Sequence, residues 1–293
     1  MQQRDFGNTG LTVSALGLGA GQVGDASLDE SAAAALLNAA LDGGVTLIDT
    51  ARGYGISEER IGRHLAHRRA EFALSTKVGY GIAGHADWTG GCIAAGIDEA
   101  LARLRTDVID IVHLHSCPLD TLRAGEVIDA LLRARTQGKL RVAAYSGEND
   151  ELAWAVQSGH FGSVECSVNL FDQGSLHTVL PRAAAAGMGI IAKRPLGNAP
   201  WRHAQRPIGD YGETYWQRMQ ALALDTRGLP WDAFALRFSA YAPGIGSAIA
   251  GTGSVSHLRH NIALVEAGAL AAEAMQEISR RYLDVGGQWS GEI

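Results

Sequence analysis

The stretch from 45 to 115 contains three short apolar runs, VTLIDT (45–50), FALSTKV (72–78) and VIDIVHLH (108–115). Helical patterns near 57–67 and 90–105 separate them. Apolar runs of this length, rich in β-branched residues, are typical of buried strands. Strands that alternate with helices predict βαβ units and a parallel sheet.

The same alternation extends over the rest of the chain. Further strand-like runs lie at 13–19, 140–146, 163–168, 188–193 and 246–250, which brings their number to eight. Helical patterns are predicted at 28–42, 57–67, 90–105, 121–137, 149–158, 174–186, 214–240 (broken at Pro230), 255–268 and 271–284. Eight such units predict an α/β fold of the (β/α)8 TIM-barrel class. We also predict an N-terminal β-hairpin from Arg4 to Val13 and a single domain over residues 1–293, because no linker-like tract interrupts the pattern.

The composition excludes several classes of function. The 293 residues are 46% apolar and carry a net charge of −6, which argues against disorder and against binding to nucleic-acid phosphates. No apolar run is long enough to cross a membrane, and the first residues resemble no signal peptide. Three unpaired cysteines, Cys92, Cys117 and Cys166, favour a reducing compartment. We therefore expect a cytoplasmic protein without nucleic-acid or membrane partners, and the oligomeric state stays open.

A glycine motif near the start of the chain needs a separate interpretation. Gly19-Ala-Gly21-Gln-Val-Gly24 follows a predicted strand and matches G-x-G-x-x-G, a fingerprint of dinucleotide-binding Rossmann folds. In that fold the third glycine lies in the first helical turn. Here the helix is predicted to begin at Ser27, where Ser27-x-x-Glu30 resembles a capping box. We therefore expect these glycines to line an open loop.

Four chemically distinctive residues are expected to meet at one end of the barrel. Asp49, Lys77 and His115 each end a predicted strand, and Tyr54 lies in the loop that follows Asp49. The carboxyl ends of barrel strands share one face, where barrel enzymes place their active sites. Each residue alone has an ordinary structural explanation, such as a turn cap or a solvated cation. Together they form a candidate catalytic site, with His113 as an interior residue one layer deeper.

This set of groups suits proton donation to a carbonyl oxygen. A free phenol with a pKa near 10 is too weak an acid at neutral pH. An ammonium ~4 Å away could stabilise the phenolate by up to about 4 kcal/mol, so we expect Lys77 to lower the pKa of Tyr54. Asp49 would hold Lys77, and His115 would donate a hydrogen bond to the carbonyl oxygen.

Two long motifs carry a resemblance to a known family. Residues 49–62 (DTARGYGISEERIG) and residues 101–115 (LARLRTDVIDIVHLH) resemble the signature blocks of the aldo-keto reductases, and the resemblance runs from about residue 4 to 285. It implies a TIM barrel and hydride transfer between NAD(P) and an aldehyde, ketone or aldose. The family's catalytic roles would fall on Asp49, Tyr54, Lys77 and His115.

The resemblance also implies positions for the cofactor. The expected contacts, which include Asp49, are Ser146, Glu165 and Lys193 near the nicotinamide, and Gly251, Thr252, Gly253, His257, Arg259 and Asn261 near the adenosine. Glu165 stands where the family usually has Gln, and Lys193 where it often has an aromatic ring. His257 and Arg259 would hold the 2′-phosphate of NADP, and NAD is the alternative cofactor. Without the resemblance, the 251–261 loop would be an ordinary helix N-terminus capped by Ser254 or Ser256.

The substrate side of the site is less defined. Trp88 is the candidate for the wall of the substrate pocket, with Tyr80 and Trp201 as weaker candidates. The short segment after the last predicted helix suggests an open pocket. No metal is expected.

Two other functions remain open from the sequence. One is a regulatory or redox-sensing subunit that binds NAD(P)H but turns over poorly. The altered nicotinamide contacts, Glu165 and Lys193, would be consistent with such a role. The other is a metal-dependent barrel hydrolase using Asp49, His113 and His115, which Lys77 opposes because its charge would lie where the metal should be.

Overall fold

The computed structural model describes residues 1–293 and contains a closed parallel barrel preceded by an antiparallel hairpin. The hairpin strands are β1 (Gln3–Asp5) and β2 (Thr12–Ser14). The barrel strands are β3 (Leu16–Gly19), β4 (Leu47–Asp49), β5 (Ala73–Val78), β6 (Ile109–His115), β7 (Leu140–Ser146), β8 (Ser163–Ser167), β9 (Gly189–Lys193) and β10 (Ser247–Gly251). Each barrel strand pairs with the next, and β10 pairs with β3 to close the ring. The predicted (β/α)8 barrel with an N-terminal hairpin is confirmed.

Twelve α-helices surround the barrel or connect its strands. They are α1 (Glu30–Asp42), α2 (Ser57–Leu65), α3 (Gly90–Leu104), α4 (Leu119–Ala124), α5 (Glu126–Thr136), α6 (Asn149–Ser158), α7 (Gly174–Thr178), α8 (Leu180–Ala185), α9 (Glu213–Leu222), α10 (Trp231–Ala240), α11 (Val255–Glu266) and α12 (Ala272–Gly286). Two predicted helices are each divided in the structure. Gly125 adopts a left-handed conformation (φ 84°) between α4 and α5, and Pro181, which has no amide hydrogen to donate, lies in the first turn of α8.

Two local predictions near the N-terminus are wrong. The run 13–19 is not one strand, because the chain leaves the hairpin at Ala15 and enters the barrel at Leu16. The helix after it does not begin at Ser27. Asp29 is its cap, and its carboxylate accepts the amide hydrogens of Ser31 and Ala32. The Gly19–Gly24 loop thus ends well before α1, which agrees with the open-loop interpretation.

The hairpin closes the end of the barrel opposite the carboxyl ends of the strands. Its side chains Phe6, Leu11 and Val13 are buried in one cluster with inward-facing residues of the barrel, namely Leu47, Ala73, Ile111, Val142, Ala144, Ile191 and Ile249. This apolar plug leaves only the opposite end of the barrel open to a ligand.

No helix of the structure has the length and apolar character needed to cross a bilayer. The three cysteines form no disulfide, and all three are buried.

Candidate active site

A cavity of about 550 Å³ opens at the carboxyl ends of the barrel strands. This volume lies within the range of small-molecule sites. The structure places six of the predicted site residues on its wall: Asp49, Tyr54, His115, Glu165, Lys193 and Gly251.

Lys77 lies beneath this wall and connects three elements. Its ammonium donates to Asp49 Oδ2 at 2.5 Å and to the carbonyl oxygen of Thr50 at 3.1 Å, and it lies 3.3 Å from Glu165 Oε1. Lys77, Asp49 and Glu165 are each 1% exposed. One buried cation is therefore shared by two buried carboxylates, and Glu165, predicted only as a cofactor contact, belongs to the same charge network as Asp49 and Lys77.

The charges in this network are set by burial and by one another. Burial alone would lower the pKa of Lys77, but Asp49 and Glu165 raise it above its ordinary value, so the ammonium stays charged. Burial raises the pKa of Asp49, and repulsion from Glu165 raises it further. Burial also opposes ionisation of Glu165, yet Lys77 and other neighbouring cations hold its pKa below the ordinary value. Glu165 is therefore an ionised carboxylate in the cavity wall.

Tyr54 is held over Lys77 by the glycine loop that the sequence analysis singled out. The ammonium lies 5.3 Å from the centre of the Tyr54 ring. Ile56 donates its amide hydrogen to the carbonyl oxygen of Gly24, and a Cβ on Gly24 would lie 1.6 Å from the carbonyl oxygen of Tyr54. Gly24 is thus needed because the backbone at Tyr54 packs directly against it. It does not have the role of the third glycine in a Rossmann fold, which lies in a helix.

The predicted decrease in the pKa of Tyr54 is wrong for this structure. Lys77 lowers the pKa of Tyr54, but burial and the carboxylates of Asp49 and Glu165 outweigh it, and the net value lies above the ordinary one. The predicted decrease rested on Lys77 and its partner Asp49 as the only close charges. The second carboxylate changes the balance, so Tyr54 keeps its proton at neutral pH.

His115 is a neutral imidazole with a single polar partner. Burial and the nearby Lys77 lower its pKa to about 3. The Tyr80 hydroxyl lies 2.8 Å from His115 Nδ1, and the two rings are stacked. Of the two possible directions of this hydrogen bond, we expect Tyr80 to donate its hydrogen to Nδ1, which leaves the hydrogen of the neutral imidazole on Nε2. That hydrogen is then available to a ligand oxygen.

Replacing Tyr80 by Phe is expected to slow turnover roughly fivefold, because a hydrogen bond of about 1 kcal/mol that selects one tautomer of His115 is lost. The change should appear in kcat, with cofactor affinity unaltered. Nitrogen-15 NMR of labelled histidine should show a mixture of His115 tautomers in place of one.

Tyr282 offers a matched control for this variant. It is buried outside the cavity, and its hydroxyl has no hydrogen-bond partner, so Tyr282→Phe should leave kcat unchanged. If Tyr80→Phe behaved like Tyr282→Phe in both measurements, Tyr80 would have no role in orienting His115.

The predicted nicotinamide contacts form one group of polar side chains on β7, β8 and β9. Ser146 lies behind Glu165 and donates to its Oε1 at 3.3 Å. Lys193 is 17% exposed on its side chain and pairs at 3.2 Å with Glu148, a buried carboxylate that the sequence analysis did not single out. Glu165 Oε2 is buried and has no hydrogen-bond partner. Nε2 of the interior His113 lies 3.7 Å from this atom.

The 251–261 segment contributes to the cavity mainly through its first residue, Gly251. Ser254 caps α11 and accepts the amide hydrogen of His257. Thr252 and Asn261 are largely buried, whereas Gly253, His257 and Arg259 are exposed. Arg259 lies apart from the cavity, in a shallow groove with Asn38 and Asp42 against α1. The structure therefore does not bring Arg259 and the catalytic residues into one cavity.

The candidate substrate residues do not line the cavity. Trp88 is half-buried against Gly79 and Tyr80, and Trp201 stacks on Trp231 at 5.8 Å between ring centres. The expectation of an open substrate pocket is also wrong in part, because the C-terminal residues cover one side of the cavity entrance. Glu292 is tied to Asp172 and Arg194 through its backbone, and Ile293 lies on the cavity wall.

Several cavity residues were missed by the sequence analysis. They are Gln22, Arg194, Asn198, Arg202 and Tyr211, together with Ser116. Arg194 could have been found, because it directly follows Lys193 at a strand end. Ser116 likewise directly follows His115 at a strand end, whereas Gln22, Asn198, Arg202 and Tyr211 depend on the paths of the glycine loop and of the long loop between β9 and α9.

The proposed metal centre of a barrel hydrolase has no support in this arrangement. Asp49, His113 and Glu165 have ligand atoms within 4.8 Å of one another. The ammonium of Lys77 already contacts both carboxylates of this set. His113 Nε2 forms a hydrogen bond with Ser75 Oγ at 3.1 Å. As predicted, His113 is an interior residue.

Comparisons with known proteins agree with this geometry. The model of the Aldo/keto reductase family matches residues 15–282. L-galactose dehydrogenase of Arabidopsis thaliana is 28% identical, over 95% of this chain and 93% of the relative. D-threo-aldose 1-dehydrogenase of a Pseudomonas species is 28% identical, over 86% and 89%. The holo form of an aldo-keto reductase from Bacillus halodurans superposes with a TM-score of 0.82 at 24% identity, covering 98% and 97% of the two chains, which shows the shared fold. The chain therefore belongs to the aldo/keto reductase family, whose members are oxidoreductases that generally bind NAD(P)H.

Proposed function

We propose that this protein transfers a hydride between NADP and a small carbonyl or alcohol substrate, with an aldose as the preferred class. The observation that carries the proposal is the contact of a buried Lys77–Asp49 pair with the ring of Tyr54 on the wall of the cavity. The aldose class is supported by the two relatives named as sugar dehydrogenases. We further propose that residues 1–293 act as a single domain, located in the cytoplasm, with NAD as the alternative cofactor.

The cavity suits a dinucleotide on physical grounds. Gly19, Gly21 and Gly251 form a wall without side chains, against which a flat or extended ligand could lie closely. Lys193, Arg194 and Arg202 line the same cavity and would offset the two negative charges of a pyrophosphate. Glu165 would place its carboxylate beside a carboxamide at this wall, with Ser146 donating to its Oε1 from behind.

The nicotinamide, when bound, supplies or takes up the hydride, and this chain's side chains handle the proton and the charge. In reduction Tyr54 gives its proton to the carbonyl oxygen, and Lys77 stabilises the phenolate that remains. The Nε2 hydrogen of His115 donates to the same oxygen and stabilises its developing negative charge. In oxidation the Tyr54 phenolate takes the proton from the substrate hydroxyl.

The 2′-phosphate is proposed to meet His257 and Arg259 at the start of α11, whose free amide groups favour an anion. Because both side chains are exposed and Arg259 lies outside the cavity, we expect the preference for NADP over NAD to be modest.

The proposal is tested by titrating the purified protein with NADPH and NADP⁺, and then offering a panel of aldoses and aldehydes while following nicotinamide absorbance. Binding followed by turnover of at least one sugar is the expected result. Tight binding without turnover of any substrate would instead support the alternative function, a regulatory subunit. That alternative was suggested by Glu165 and Lys193, which replace the residues usual in the family.

A further inference from the structure

An ionised carboxylate stands in the cavity wall where the nicotinamide is expected. Glu165 lies on β8, opposite β4 and β5 across the barrel, and its Oε1 is 3.3 Å from Lys77 Nζ. Its other oxygen, Oε2, is buried and unpartnered. Nε2 of the neutral His113 lies 3.7 Å from this oxygen, and Glu165 lines the cavity although it is only 1% exposed.

The buried charges around this carboxylate do not cancel. Three carboxylates, Asp49, Glu148 and Glu165, face two ammonium groups, Lys77 and Lys193. The imidazoles of His113 and His115 add no charge, because burial lowers their pKa values to about 4 and about 3. Burial raises the pKa of Glu148 and that of Asp49, the latter to about 7, so the set carries one net negative charge only above neutral pH, whereas Glu165 is ionised throughout.

Such a charge distinguishes the two redox forms of a nicotinamide. The oxidised ring carries a positive charge and the reduced ring is neutral, whereas the rest of the nucleotide is identical. A buried carboxylate attracts the charged ring strongly, since solvent and salt screen little there. An amide in the same place would bind the carboxamide of both forms alike.

We propose that Glu165 makes this site select the oxidised cofactor, so that the free enzyme takes up NADP⁺ in preference to NADPH at equal concentrations and is ready to oxidise an alcohol or an aldose. This inference rests on the proposed function and adds a redox preference to it.

The test measures nucleotide binding without substrate. Dissociation constants for NADP⁺ and NADPH, and for NAD⁺ and NADH, are determined by calorimetry for the wild-type protein and for Glu165→Gln. The wild-type protein should bind the oxidised form more tightly than the reduced form. In Glu165→Gln the affinity for the oxidised form should fall on the order of tenfold, and that for the reduced form should change little.

Glu58→Gln is the matched control. Glu58 is likewise a buried glutamate, bonded to Thr76 and Arg103, but it lies outside the cavity, so its replacement should leave the ratio of the two constants unchanged. A purely structural role of Glu165 would weaken both redox forms by the same factor.

The outcomes separate the two proposals. If the wild-type protein binds both forms and Glu165→Gln leaves their ratio unchanged, the redox preference is refuted and the oxidoreductase function stands. Wild-type binding of the reduced form as tight as, or tighter than, that of the oxidised form would also overturn it, even if the variant failed to fold. If the wild-type protein binds neither form, both proposals fail.

Discussion

Replacing Lys77 by methionine is expected to abolish measurable turnover and to destabilise the fold by about 3–5 kcal/mol. Lys77 is the only cation in contact with both Asp49 and Glu165, and all three side chains are buried. Methionine fills a similar volume, so the loss comes from two carboxylates left without a counter-charge. Chemical denaturation at neutral pH measures the change in the free energy of unfolding.

The stability loss in Lys77→Met should depend on pH. The direction of this dependence follows from the pKa values of the two carboxyl groups left without a counter-charge. Without Lys77 their pKa values in the folded protein rise above the values near 4 of the unfolded chain. The folded state then binds more protons than the unfolded state, and its stability falls as the pH rises above about 4. Lys77→Met should therefore be closer to wild-type stability at pH 5 than at pH 8.

Two further variants isolate the cause. Adding Glu165→Gln to Lys77→Met removes one of the two uncompensated charges and should restore part of the lost stability. Lys139→Met removes a lysine whose partner Asp98 is more than half exposed, and should cost less than about 1 kcal/mol without affecting turnover. Equal stability losses in Lys77→Met and Lys139→Met would refute the buried network as described.

Tyr54→Phe is expected to lower kcat by about 10²–10⁴-fold while the affinity for the nucleotide stays at its wild-type value. The variant keeps the ring that packs over Lys77 and loses only the hydroxyl that carries the proton. Steady-state kinetics with an accepted sugar, together with a nucleotide titration, separate the two quantities. Tyr282→Phe serves again as the control that loses a hydroxyl without a partner.

The pH dependence of turnover provides a second test of the role of Tyr54. Because burial and two carboxylates keep the pKa of Tyr54 above its ordinary value, the phenol stays protonated through neutral pH in the free protein. We expect oxidation of an alcohol to speed up toward alkaline pH and reduction of a carbonyl to show no loss until that same range. An unchanged kcat in Tyr54→Phe would remove Tyr54 from the proposed mechanism altogether.

The barrel and the four central residues were predictable because their signals are local. A strand ending in Asp49, Lys77 or His115 is visible as a short apolar run, and the closed barrel brings such ends to one face. The hydrogen-bond partner of His115 was not predicted, because Tyr80 reaches it only through the turn at Gly79. The cation Arg202 was missed because it lies on a long loop whose path no local pattern specifies.

The electrostatic error had a different origin. Glu165 and Lys77 lie on β8 and β5, which are not neighbours in the barrel, so their approach depends on closure of the whole ring. Sequence spacing indicated that Lys77 would meet Asp49 but not that a second carboxylate would share it. The sign of the shift in the pKa of Tyr54 depends on that second carboxylate and on burial.

Transfer of an isotopic label tests the central claim most directly. An aldose carrying deuterium on the carbon to be oxidised is incubated with the protein and NADP⁺, and the nucleotide is recovered for mass spectrometry. If the cavity transfers a hydride between substrate and nicotinamide, the reduced nucleotide will carry one deuterium. Reduced nucleotide without deuterium, or sugar oxidation that leaves the nucleotide unreduced, would contradict the account.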